Sequence, residues 1–334
     1  METLIQDVRY GLRTLLKNRG FTVVAVLALA LGIGANTAIF SVVNAAMIRP
    51  LPFKNSDQLV MVWEHNRVRA RPQNVISPAN YLDWRDRNTV FEDMAIFYDS
   101  RFNLTDVDNP EEIPAQFVTT NFFNLLGVSP ALGRAFEPED EQPERQAVVI
   151  LTNGLWKRRF GGDAAITGKT IKLNGDVFTV IGVMPPDFQF FIKSGSLTGN
   201  QPEMWVPAVF SASDRTRRGR YATAVARLKP GVTREQAQAE MDSIGNALEE
   251  QYPNFNKGWG INVVRLREQF FGEIRPALWV LVGAVGFVLL IACANVANLL
   301  LARAASRQKE IAIRTALGAR PQMSPPPYRV QPGR

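Results

Sequence analysis

Few residues of this 334-residue chain are of the types that carry chemistry, and their spacing argues against most reactions they suggest. Gly168-Lys169-Thr170 has the ending of a phosphate-binding loop, in which backbone N–H groups cradle phosphates ahead of a helix. That motif needs glycine at position 163, where the chain has Asp163, and the segment that follows reads as a hairpin strand. No ATPase is therefore expected in this chain. Asp106, Asp108, Glu111 and Glu112 have the carboxylate density of a calcium loop, but Pro110 takes the third ligand place and no glycine supplies the turn. A solvated acidic loop is expected there, and again over residues 137–144. Ser77, Ser129 and Ser196 lack the context of an activated nucleophile. The single histidine, His65, leaves no His-rich metal site and little basis for a Ser-His-Asp machine. Arg215, Arg217, Arg218 and Arg220 read as a solvated basic loop, with an acidic partner as the alternative. No catalytic residue, cofactor or metal is expected.

The elements around these residues explain why chemistry is scarce. Residues 21–48, FTVVAVLALALGIGANTAIFSVVNAAMI, form an uncharged run of roughly 28 residues, where about 20 suffice to cross a bilayer as a helix. A second apolar run covers residues 276–302. The net charge of +7 is concentrated at the flanks of these runs, leaving −2 on residues 50–302. That asymmetry follows the positive-inside bias, which puts both termini in the cytoplasm and residues 49–275 outside. It also argues against a nucleic-acid partner, which would require a basic face on the folded domain. The one cysteine, Cys293, lies in the second run, so the outer domain must fold without a disulfide. Residues 1–20 space Leu4, Val8, Leu12 and Leu15 at helical intervals opposite Arg9, Arg13 and Lys17, which describes an interfacial amphipathic helix against membrane lipid. A signal-peptide reading is disfavoured because the apolar run is about twice the usual 7–15 residues. In the first span Ala30, Gly34 and Ala38 recur every four residues, a stripe that lets a second helix approach closely. Asn295 and Asn298 lie one turn apart near the end of the second.

The outer segment reads as α+β. Strands are expected over residues 58–64, 94–98, 116–119, 147–151, 169–173, 177–183, 221–228 and 261–266. Helices are expected from Pro78 to Arg87, over 121–126 closed by Gly127, over 154–160 stopped by Gly161-Gly162, and from Thr233, whose Gln236 completes a capping-box pattern. Asn174-Gly175 between two near-alternating runs is a hairpin signal. The strand–helix–strand unit over 221–266 suggests a split βαβ layer, with the middle of the segment inserted as a second lobe.

Four stretches carry a family resemblance. They are residues 13–53 (RTLLKNRGFTVVAVLALALGIGANTAIFSVVNAAMIRPLPF), 117–136 (FVTTNFFNLLGVSPALGRAF), 147–185 (AVVILTNGLWKRRFGG…IKLNGDVFTVIGVMP) and 289–319 (LLIACANVANLLLARAASRQKEIAIRTALGA). Together they resemble MacB/FtsX-type ABC transporter permeases with a MacB-like periplasmic core domain, in the duplicated form known from Acidobacteria. The resemblance implies an inner-membrane protein, multi-pass, whose porter-like split βαβ lobe carries an inserted second lobe. It implies a homodimer or permease heterodimer, a cytoplasmic ABC ATPase subunit that binds ATP in trans, a periplasmic partner, and mechanotransmission for efflux. It also implies that residues 303–319 contact the ATPase, with Arg307, Glu310, Ile313, Arg314 and Gly318 as the coupling positions. Family members continue with further spans, whereas residues 320–334 (RPQMSPPPYRVQPGR) are Pro-rich and read as a divergent disordered tail on a truncated copy. The alternatives are an FtsX-like, membrane-tethered regulatory module and a non-functional fragment.

Overall fold

The computed structural model describes residues 19–44, 50–68, 71–105, 110–142, 144–145, 147–193, 196, 198–272 and 274–316. The N-terminal amphipathic helix and the tail expected from the sequence lie outside these residues. The chain divides into two compact units, one made of residues 1–48 and 274–334 and the other of Arg49–Glu273.

The first unit is a pair of helices packed on one another, α1 (Arg19–Val43) and the long helix Arg275–Ala316. Among the described residues no helix is long and apolar enough to cross a membrane. The expectation that both runs span a membrane therefore rests on their sequence alone.

The second unit follows its local sequence signals closely. It opens with β1 (Leu59–Asn66) and β2 (Arg71–Asn74), followed by α2 (Pro78–Arg87), which has proline in its first turn. Then come β3 (Phe91–Leu104), β4 (Glu111–Val118), α3 (Phe122–Leu126), β5 (Leu132–Gly133) and β6 (Val148–Leu151). Helix α4 (Asn153–Phe160) is capped by the Thr152 hydroxyl, which accepts from the Leu155 N–H, and Gly161 ends it at φ 62°. β7 (Thr170–Leu173) and β8 (Asp176–Val183) form the Asn-Gly hairpin, with Asn174 at φ 54° and Gly175 at φ 94°, as a two-residue turn of this type demands. β9 (Met204–Pro207) and β10 (Thr223–Leu228) precede α5 (Arg234–Gln251), whose Thr233 and Gln236 make both bonds of the capping box. α6 (Pro253–Asn256), β11 (Trp259–Arg265) and α7 (Leu266–Phe271) complete the unit, and Arg275–Ala316 is α8.

Among the described residues all eleven strands join one sheet in the order β11-β1-β10-β3-β4-β9-β6-β8-β5, with β2 beside β1 and β7 beside β3 and β8. Each neighbouring pair among the first four strands is antiparallel and, with α2 and α5, they form two interlocked split βαβ units. Residues 105–222, between β3 and β10, are the inserted lobe. It is not a separate body: β3 is long enough to pair with β10 through Phe97 and with β4 from Phe97 to Leu104, so the ladder runs through both lobes.

The sheet is buried on both faces. On one, Val60, Val62, Met94, Ile96, Ala224 and Val263 pack under α2 and α5, where Ala237, Met241, Ile244 and Leu248 form an apolar stripe at helical spacing. On the other, Leu59, Met61, Trp63 and Phe97 lie beneath an aromatic cluster drawn from α3, the segment 184–203 and α7. A third cluster fills the inserted lobe. Covering both faces explains why β1 opens with five apolar residues, Leu59 to Trp63, without alternation.

Candidate functional site: an arginine clamp and a helix pair

The basic run at residues 215–220 is not the solvated loop its sequence suggests. A short 3-10 turn, Ser213–Thr216, is held by Asp214, whose carboxylate accepts from the Ser211 N–H and hydroxyl. Arg217 then adopts φ 61°, a left-handed kink that turns the chain. Arg217 and Arg220 point inward, while Arg215 and Arg218 stay exposed. Arg220 pairs with Glu64 of β1, donates to the Phe255 carbonyl at 2.9 Å and stacks over the Trp259 ring at 3.9 Å. Arg217 pairs with Asp83 of α2, donates to the Asn80 side-chain oxygen at 2.9 Å and lies 3.7 Å over the Tyr252 ring. Asn80 donates to Glu64 at 2.6 Å, and Asn80 and Asn256 exchange amide bonds at 3.1 and 3.2 Å. Two ion pairs thus tie one loop to β1 and α2, and a hydrogen bond and a ring contact tie it to α6 and β11.

Burial pushes the Glu64 carboxyl above its ordinary range, against the pull of the Arg220 charge and of hydrogen bonds from Asn80, Arg220 and Ser77. The void beside it, lined by Glu64, Asn80, Trp84, Asn256 and Trp259, is of single-water size. The arrangement pairs charges and stacks cations on rings; it presents no nucleophile beside a base. It is a clamp. Sequence reasoning missed it because Glu64 and Arg220 lie 156 residues apart.

The other tempting residues are also absorbed by structure. Glu111 and Glu112 belong to β4 rather than an acidic loop: Glu111 pairs with Arg158 and Arg159, and Glu112 with Arg101. Asp106 and Asp108 lie outside the described residues. Within the acidic run, Asp140 is buried and takes a two-point ion pair from Arg134, so that run too is partly structural. Lys169 pairs with Asp163 at 2.6 Å, and Thr170 opens β7, so no helix follows the phosphate-loop look-alike. Ser196 donates to Asp99, which also accepts from Thr198 and Gln116. Among the described residues no group of three His, Cys, Asp or Glu side chains could hold a metal.

In the helix pair, Ala30, Gly34 and Ala38 are all exposed, and a Cβ at Gly34 would meet nothing within 4 Å. Gly32, on the neighbouring stripe, is buried, and Asn36 donates to its carbonyl at 2.8 Å. Leu278 and Val285, two turns apart on α8, are buried. Asn298 and Ile313 are exposed. The side chains of Asn295, Arg307, Glu310 and Arg314, and the whole of Gly318, lie outside the described residues. Helix α8 itself runs unbroken from Arg275 to Ala316.

The folded unit is thus a split βαβ lobe with an inserted lobe, placed in sequence between two long helices. The MacB-like periplasmic core domain family matches residues 22–244, and the chain belongs to that family. It is similar to the macrolide export ATP-binding/permease protein MacB of Chromobacterium violaceum, at 28% identity over 61% of this chain and 30% of that protein. The MacB protein of Bdellovibrio bacteriovorus aligns with 95% of this chain and 49% of its own length at 21% identity. The chain therefore spans about half, or less, of the curated relatives it matches. Among solved structures, the periplasmic region of MacB from Actinobacillus actinomycetemcomitans superposes with TM-score 0.46 and 16% identity, covering 66% of this chain and 94% of that one. The extracellular domain of the noncanonic ABC-type transporter YknZ from Gram-positive bacteria gives 0.44 and 12%, covering 61% and 99%.

Proposed function

We propose that this chain is a permease component of a MacB/FtsX-type ABC transporter, coupling motion of a cytoplasmic ATPase to a periplasmic domain during export. In this reading residues 21–48 and 276–302 span the inner membrane, and Arg49–Glu273 stands in the periplasm. A separate subunit binds and hydrolyses ATP, and the permease works as a homodimer or a permease heterodimer. The observation that carries the reading is the family match over residues 22–244, which includes most of the first apolar run and the folded domain as far as α5.

Two features support the membrane and coupling parts. Asn36, Thr37 and Ser41 of α1 all donate to carbonyls of their own helix at 2.8 Å, so these polar side chains need no water in a hydrocarbon phase. Helix α8, at 42 residues, is about 63 Å long. A bilayer core is about 30 Å thick, so a continuous rod extends well past it. A rod that does not break between residues 302 and 316 can pass a push where a flexible loop would not. Arg307, Glu310, Ile313, Arg314 and Gly318 are the proposed coupling positions, and the exposed Ala30/Gly34/Ala38 stripe, with Asn295 and Asn298, is the proposed contact for further helices.

The test uses a photo-crosslinking residue at Ile313 in native membranes. The expected result is an adduct with an ATP-binding subunit, lost on combined Glu310→Ala and Arg314→Ala substitution. An adduct with no ATP-binding protein, or one indifferent to those substitutions, would overturn the coupling assignment. Topology is read separately with Asp176→Cys in a Cys293→Ser background. Asp176 is exposed on β8, and a membrane-impermeant maleimide should label it in intact spheroplasts. Labelling only after lysis would place the domain on the wrong side.

A further inference from the structure

Residues 184–203 leave β8 and return as β9, so they belong to the inserted lobe, yet they carry Phe190 onto Phe97 of the split βαβ lobe. Phe188, Phe190 and Ile192 enter the aromatic cluster, and Phe190 is 1% exposed. The Phe190 ring meets four others edge-on or nearly so: Phe53 at 5.8 Å, Phe97 at 5.4 Å, Phe122 at 5.3 Å and Phe270 at 6.0 Å. Two of these contacts are with the two ends of the domain. Phe53 lies in the segment by which the chain comes in from the first apolar run. Phe270 lies in α7, by which it leaves toward α8.

Both ends are fastened to the sheet independently. The incoming segment is held by Arg227, which donates to the Asn55 carbonyl at 3.3 Å and to the Leu125 carbonyl at 3.1 Å. The outgoing helix is held by the Trp63 indole N–H, which donates to Gln269 at 2.9 Å, and by Leu266, fully buried. The far side of the 184–203 segment is tied to β3 through Ser196 and Thr198 on the Asp99 carboxylate. Phe190 is therefore the side chain at which incoming segment, outgoing segment, sheet and inserted lobe meet. Interiors are close-packed, so a displacement of either end cannot be absorbed locally and must move the ring between them.

We propose that Phe190 is the positioning residue that couples the two chain ends of the domain to its inserted lobe. Its purpose in transport rests on the permease reading above, but the contact itself is tested without transport. Hydrogen exchange is measured by mass spectrometry on the full chain in detergent micelles, for Phe190→Ala, Phe190→Leu and a control, Leu155→Ala. Leu155 is equally buried but lies in the third cluster of the inserted lobe. Amides of residues 51–56 and 266–272 should exchange at least about tenfold faster in Phe190→Ala, and by an intermediate amount in Phe190→Leu, with residues 148–160 unchanged. Leu155→Ala should give the reverse pattern. Acceleration at only one chain end, unchanged exchange at both, or equal acceleration by Leu155→Ala would overturn the proposal. If Phe190→Ala does not fold, the graded response of Phe190→Leu against the same control decides it. Failure of the Ile313 crosslink leaves this result standing, so the two readings fail separately.

Discussion

Replacing Arg220 with Met tests whether the clamp stabilises the domain through charge. The substitution keeps an unbranched apolar stem but removes the cation beside Glu64, whose side chain is 2% exposed. Two losses follow, and they differ in pH dependence. The stacking on Trp259 and the hydrogen bonds to Phe255 and Asn256 disappear at every pH, costing about 1–2 kcal/mol. The second loss is electrostatic. Burial already raises the Glu64 pKa above 4.5, and the Arg220 charge is the foremost influence holding it down. Without that charge the folded-state pKa climbs further. A carboxyl whose folded pKa is raised gives its full stability below the unfolded value and loses it as pH rises through the folded value. The destabilisation should therefore be small near pH 4 and grow through neutrality to a total of about 3–5 kcal/mol, the usual cost of orphaning a buried charge. For a domain of this size, 3 kcal/mol is about 6–12 °C in Tm. Urea unfolding of the full chain in detergent, followed by tryptophan fluorescence from pH 4 to 8, measures it. The double variant Arg220→Met/Glu64→Gln has no group to titrate there and should lose the slope. A destabilisation independent of pH, or a slope that survives in the double variant, would refute the electrostatic account.

Two further outcomes follow from named contacts. The outer edge of β11 is closed by Gln238, whose amide donates to the Ile261 carbonyl and accepts from the Val263 N–H, both at 2.8 Å; Gln238→Ala should cost about 1–2 kcal/mol and produce concentration-dependent association in light scattering, because an open strand edge pairs with other chains. For Asp140, burial raises the pKa but is outweighed by hydrogen bonds from Arg134 and the Glu137 N–H and by the charges of Arg134 and Arg145, so its carboxyl titrates below the ordinary value. Its stabilisation is then present above pH 3.8 and lost as pH falls through the lower folded value; Asp140→Asn should cost about 1 kcal/mol at pH 7, since Arg134 is partly exposed, and progressively less as pH falls below 3.8, read by the same unfolding assay.

Much of the secondary structure was legible because its signals are local. Ser77-Pro78, the Thr233/Gln236 box, Asn174-Gly175 and Gly127 after Leu126 each act within a few residues, and each marks an element end in the structure. β9 was missed: it has only four residues, MWVP, and is a strand because β4 and β6 offer it partners on both sides. β2, with the sequence RPQN, has no strand-forming pattern at all and exists by pairing with the end of β1. The charged clusters were misread for a related reason. Composition ranks arginine and glutamate as solvated, and only a partner brought from elsewhere can reverse that ranking, as Glu64 does for Arg220 and Arg158 does for Glu111.

The sequence by itself determined the apolar runs, the charge asymmetry around them, the α+β character of the segment between, and the family. These depend on residue type and short spacing, which a chain carries whether or not it is folded. Tertiary structure alone decided that the two lobes share one ladder through β3, that Arg217 and Arg220 turn inward, that Gln238 closes a sheet edge, and that Phe190 meets both ends of the domain. Each of those joins residues far apart in sequence, and its favourable energy exists only once the intervening chain has been ordered.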